Sequence, residues 1–224
     1  MTLQPTISGL WLLMLTSLAI SACSSRPYAE QAITPIRLTS HMQESWDQDL
    51  RSFIGFPTPK AFSVCHDLSC HNISNVSLST SEWQTVADLF DPISATPDIE
   101  KQQIQKAIAL LEKMVGARIG TDADQAKNLL TDSRKGQLDC IDEATNTSVY
   151  LRLLESEALL GWHDTAPRTS RGPLSGQAPH NTATIIERAT QQRYAVDAWF
   201  KANGQPPAIV KLADWYQGWR PEPN

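Results

Sequence analysis

A chain of 224 residues with 41% hydrophobic and 19% charged side chains carries enough apolar material for a packed core, which excludes a disordered or fibrous protein. A formal net charge of -5, with no stripe of Lys or Arg to neutralise phosphates, excludes a nucleic-acid partner.

Gly9 to Ile20 is a short apolar stretch ending in small residues, as the hydrophobic region of a secretory leader does. It falls short of the about 20 apolar residues that span a bilayer. The following Ile20-Ser21-Ala22-Cys23 resembles the lipobox of bacterial lipoproteins. That resemblance implies a signal peptide over residues 1–22, diacylglycerol on Cys23 and a membrane-anchored envelope protein. Ser24 rather than Asp after the cysteine implies the outer membrane, with the protein facing the periplasm. Residues 23–40, polar with prolines, read as the lipidated tether, and 41–224 as a single α+β domain.

Within that domain, Phe62-Ser63-Val64 reads as a short strand with Val76 and Leu78 as its partner. Cys65 and Cys70 are separated by four residues and, in an oxidising compartment, are expected to pair across a tight loop. The same Cys65-His66-Asp67-Leu68-Ser69-Cys70-His71 run also admits a zinc-ligand reading and a rare variant of haem attachment. Ser79 with Glu82 is a capping box opening a helix that carries Trp83, Val86, Ala87 and Phe90. A second helix follows Pro97-Asp98, with Ile104, Ala107, Ile108, Leu111 and Val115 on one face and Gly116 as its stop. The aromatic residues Trp46, Phe53, Phe56 and Trp83 fit core packing better than a substrate groove.

A third helix runs from Cys140 to Leu160, apolar nearly all round and therefore central, with Gly161 ending it. Residues 163–179 read as a surface flap. Ala183–Ile186 and Tyr194–Trp199 read as two strands, and Asn203-Gly204 as a turn before a segment carrying Trp215, Tyr216 and Trp219. Helices followed by strands indicate α+β.

Cys140 is left over from the cysteine pairing and opens the central helix, where unpaired N–H groups and the helix dipole favour negative charge on its sulfur. His180 stands at the start of the first late strand and Asp197 lies in the next. If they face each other directly, Ile186 lies opposite Gln191 across a loop from Glu187 to Thr190, and their Cβ atoms come within about 5 Å. That is the nucleophile, base and orienter logic of a catalytic triad. His163 is a rival base without such an acidic partner. Asp139, Asp142 and Glu143 read as capping, solvated residues.

Gly136-Gln137-Leu138-Asp139-Cys140-Ile141-Asp142-Glu143-Ala144, Pro179-His180-Asn181-Thr182-Ala183 and Tyr194-Ala195-Val196-Asp197-Ala198-Trp199 resemble the three core blocks of the transglutaminase-like superfamily. They are most similar to its bacterial cysteine peptidases. The resemblance covers about residues 118–200 and implies a papain-like core over 118–224, preceded by a helical part over 41–117. It implies Cys140 as nucleophile, His180 as general base and acid, and Asp197 as orienter of the imidazole. The expected oxyanion donors are the Cys140 N–H and Gln137. No cofactor is expected, although some relatives of this type bind calcium, an alternative use for Asp139, Asp142 and Glu143. The expected partners are the membrane, through the lipid anchor, and a peptide or protein substrate in the envelope. The expected activity is that of a peptidase or amidase, and the competing reading is a non-catalytic binding or scaffolding module.

Overall fold

Phe62–His66 (β1) and Asn72–Val76 (β2) pair antiparallel with Phe62 opposite Val76. The computed structural model describes residues 53–128, 135–173 and 176–222, all within one unit, Thr39–Asn224. The leader, Cys23, the tether and Trp46 lie outside the described residues. β1 is fully buried over Phe62–Cys65, and its free edge is closed by a side chain. The Asn146 amide accepts from the Cys65 N–H at 2.7 Å and donates to the Cys65 carbonyl at 2.8 Å, standing in for a third strand.

The capping box forms as the sequence specifies. Glu82 N–H donates to Ser79 Oγ at 3.2 Å and Ser79 N–H to Glu82 Oε2 at 2.8 Å, opening Thr80–Ala87 (α1). Pro97–Ile119 (α2) starts at Thr96, whose hydroxyl caps the Ile99 N–H, and has Pro97 at its first position, where a missing N–H costs nothing. Gly116 does not end it. The helix runs one turn further to Gly120, which adopts φ 82°, the left-handed conformation that terminates helices. Gly116 serves packing instead, since a Cβ there would come within 2.8 Å of the Asn203 side chain and 3.1 Å of the Asp122 nitrogen.

Cys140–Ser156 (α3) is the central helix, packed against α2, β1 and the main sheet. It ends at Ser156 rather than Leu160, turning through Ala158 at φ 56°. Residues 163–171 are not a flap. They form a strand, His163–Arg171 (β3), paired with His180–Glu187 (β4). The ladder slips between Ala166 and Thr169, where Pro167 has no N–H to give. Its carbonyl still accepts from Thr184 Oγ1 at 2.8 Å. Arg193–Asp197 (β5) and Ala208–Lys211 (β6) complete a four-stranded antiparallel sheet in the order β3-β4-β5-β6. One face, with Ala183, Ile185 and Val196, joins the core built on α2, α3 and β1. The other carries Ala195 and is covered by Leu212 and Trp215 from Leu212–Tyr216 (α4). The architecture is mixed, with antiparallel sheets and a buried central helix. No helix among the described residues is long and apolar enough to cross a membrane. Phe56, expected in the core, is 94% exposed, whereas Phe53 and Trp83 pack against the core.

Candidate active site

The N-terminus of α3 is fixed by its own side chains. Asp139 is the N-cap, accepting from Ile141 N–H at 2.9 Å and Asp142 N–H at 3.1 Å, while Asp142 accepts the Asp139 N–H at 3.1 Å. Cys140, half-buried, is the first helical residue, so its N–H has no partner within the helix.

His180 and Asp197 come together, though not in the expected register. Ile186 pairs with Arg193 and Ala183 with Val196, which places Thr182 opposite Asp197 and His180 two residues further on. A shift by two keeps both side chains on one face of the sheet, and they meet diagonally. Asp197 Oδ2 lies 2.7 Å from His180 Nε2 and also accepts the Trp215 indole N–H at 2.7 Å. Both are buried, at 4% and 1% exposure. The Cys140 thiol also lies close enough to the imidazole to act on its titration. With Nε2 committed to Asp197, Nδ1 is the nitrogen left to face the thiol. Burial works against charging His180, but the hydrogen bonds and charges of Asp197 and Cys140 prevail and hold its pKa above the ordinary histidine value. Trp199, Phe200 and Trp215 ring the imidazole at centroid distances of 4.7, 5.3 and 5.6 Å.

Three neighbours of Cys140, His180 and Asp197 escaped the sequence reading. Asn181 follows His180 and so points to the α3 side of the sheet, where its Nδ2 approaches Cys140 Sγ at 3.6 Å. Trp215 is the second donor on Asp197, and nothing in its local sequence reveals this. Arg171, directly opposite His180 in the β3–β4 ladder, lays its guanidinium 4.4 Å over the Trp215 ring and donates to the Trp215 and Trp219 carbonyls. Gln137, the expected oxyanion donor, has its amide oxygen on Asn128 and its amide nitrogen 3.4 Å from the Gly136 carbonyl. His163, the rival base, is fully buried away from solvent and 2.9 Å from Glu100, whose carboxylate also accepts the Gly161, Trp162 and His163 N–H groups. It serves the junction between α2 and β3.

The cysteine loop borders this site. Cys65 and Cys70 are joined at a Cα separation of 4.6 Å. Both ring nitrogens of His66 are engaged, with Asp67 and Ser74 at 2.9 Å each. Asp67, Leu68, Ser69 and Cys70 all have φ between 57° and 66°, four consecutive left-handed residues. This turn docks on the cap of α3: Cys70 N–H donates to Asp142 Oδ1 at 2.6 Å and Ser69 Oγ to Asp139 Oδ2 at 2.8 Å. The Gly136 N–H returns to Asp67 Oδ1 at 2.7 Å.

Asp142 and Glu143 are therefore buried rather than solvated. Burial and then the Asp139 charge push the Asp142 carboxyl up to about 7. Burial raises Glu143 well above the ordinary glutamate range, helped by Glu112, Asp124 and Asp142. Glu112 rises to about 8 and Asp124 to about 6, burial again leading. Asp124 accepts from Leu138 N–H at 2.7 Å and Asn128 Nδ2 at 2.9 Å, so this acidic layer fixes the segment entering α3.

Two clefts open on either side of His180, both bordered by Arg171 and Pro179. One, of about 540 Å³, includes Asn181 and Tyr216. The other, of about 360 Å³, includes Lys127, Trp199, Phe200 and Arg220. Compared with known proteins, the chain matches no family model, no curated protein and no solved structure.

Proposed function

We propose that the chain is a cysteine hydrolase with a papain-like, transglutaminase-like core, acting on an amide bond of a peptide or protein in the cell envelope and anchored there through lipidated Cys23. The observation that carries this reading is a single imidazole bonded at Nε2 to a buried carboxylate 2.7 Å away and raised in pKa by both that carboxylate and a cysteine at the start of a helix.

The chemistry follows from those roles. His180 Nδ1 takes the Cys140 proton and the sulfur attacks the amide carbonyl carbon. As the tetrahedral intermediate collapses, the C–N bond breaks and His180 returns the proton to the leaving amine. Water, deprotonated by His180, then attacks the thioester and the C–S bond breaks, releasing acid and restoring the thiol. Asp197 keeps Nε2 protonated and stabilises the imidazolium, and Trp215 holds the carboxylate in place. The free Cys140 N–H supplies one oxyanion donor. Asn181, already at the sulfur, is a stronger side-chain candidate for the second than Gln137, whose amide is engaged elsewhere.

The test is the pH dependence of Cys140 alkylation by iodoacetamide, located by mass spectrometry, in the wild type and in His180→Ala. Labelling well below pH 8 that is lost in His180→Ala, with the fold retained, is the expected outcome. Labelling no faster than a model thiol, with its pKa near about 8.5, moves the reading to a non-catalytic binding module.

A further inference from the structure

The smaller cleft gathers three cations, and among the described residues none of them forms an ion pair with a carboxylate. Arg171 lies at its base, 7% exposed. Its Nη atoms are taken by the Trp215 and Trp219 carbonyls, and its Nε is buried with no hydrogen-bond partner. Lys127 and Arg220 stand exposed on the rim, and Trp199 and Phe200 wall the space between them and His180. Burial lowers the Arg171 pKa, Asp197 pulls it part of the way back, and the charge of Arg220 is close enough to lower it a little further. Asp197 attracts the group from a distance without pairing with it, its Oδ2 being bonded to His180 and Trp215.

Burying a cation with no carboxylate in contact, and placing two more beside it, favours an anion that completes the site. Arg171 is held there by the ladder, opposite His180, so the positive field is fixed relative to the reacting imidazole. The aromatic walls suit the apolar stem of a side chain or the backbone of a short peptide.

We propose that this cleft is a substrate subsite for a carboxylate, carried by the same peptide whose amide Cys140 attacks; this deepens the hydrolase reading and rests on it. The carboxylate is either an acidic side chain or a free C-terminus. Its role is to seat the peptide beside His180 with the scissile amide over Cys140, so the cleft sets specificity and leaves the bond-breaking steps to the triad.

The test uses the full chain and two alkylating reagents of similar size, anionic iodoacetate and neutral iodoacetamide. The quantity read is the ratio of their second-order rates at Cys140, which normalises any change in the nucleophile itself. That ratio is expected to fall about tenfold in the double variant Lys127→Ala, Arg220→Ala, and to fall in the wild type as salt is added. A ratio indifferent to both overturns the subsite, while rapid iodoacetamide labelling leaves the nucleophile standing. If Cys140 resists both reagents, the hydrolase reading fails and the cleft is judged alone, by NMR of the Trp199 indole during titration with N-acetylglutamate amide, N-acetylalanine and N-acetylglutamine amide. A saturable shift with an acid but not with the glutamine compound supports the subsite, and the acid that produces it identifies side chain or C-terminus. Absence of a saturable shift with either acid overturns it.

Discussion

Asp197 uses one oxygen for two donors, with His180 and Trp215 both on Oδ2 at 2.7 Å and Oδ1 buried without a partner. An amide in its place removes the charge that favours imidazolium and puts an NH2 where the second donor or the buried void must absorb it. Asp197→Asn is therefore expected to lower the His180 pKa, because burial then outweighs the remaining influence of Cys140. The acylation rate should drop by about 10²–10⁴. The check is an NMR pH titration of the His180 ring together with the alkylation profile, whose upper limb should move to lower pH. The positions of Cys140, His180 and Asp197 were legible because a cysteine before an amphipathic turn, a strand-start histidine and a buried strand aspartate each announce themselves locally. Trp215 and Arg171 were not, since their roles arise from a chain reversal over 18 and 44 residues that no local pattern records. Asn181 was within reach: strand alternation alone turns the residue after His180 toward the opposite face, where α3 lies.

At the scale of elements, α3 is aligned by the strand that its side chains meet. Asn146 supplies both hydrogen bonds that close the free edge of β1. Its loss leaves a buried N–H and a buried carbonyl unpaired, so Asn146→Ala should cost about 2–4 kcal/mol of stability in urea unfolding. Asn146→Asp, retaining one acceptor but no donor, should not restore it fully. The helices were readable from caps and periodicity, with ends misplaced where Gly116 serves packing rather than termination. The strands β3 and β6 were not. Both are sheet edges, and His163–Arg171 alternates no apolar residues and contains Pro167, as edge strands do when they avoid pairing with another chain. The β4–β5 register was wrong by two because the turn takes its positive φ from Gln191 at 58°, not from a glycine or asparagine. The even shift kept His180 and Asp197 on one face.

The whole molecule carries an unusual load of buried carboxyls. Glu112 is held at about 8, Asp142 at about 7 and Asp124 at about 6, all above their ordinary values. Between an ordinary glutamate pKa and about 8, the folded state keeps a proton on Glu112 that the unfolded chain has released, so stability falls as pH rises through that window. Glu112→Gln retains an acceptor for the Gly204 N–H, 2.8 Å away, and removes the ionisation. Thermal unfolding should show the loss between about pH 5 and pH 8 reduced by about 2–4 kcal/mol relative to wild type. The left-handed run from Asp67 to Cys70 has the opposite character, being fixed by shape rather than charge. L-residues there give up about 1–2 kcal/mol each relative to their preferred hand, and the docking onto the cap of α3 holds them in place. The backbone at that point already follows the path natural to D-amino acids. In a semisynthetic protein, the segment docked on the cap of α3 is where mirror-image residues would fit the existing backbone with least rearrangement.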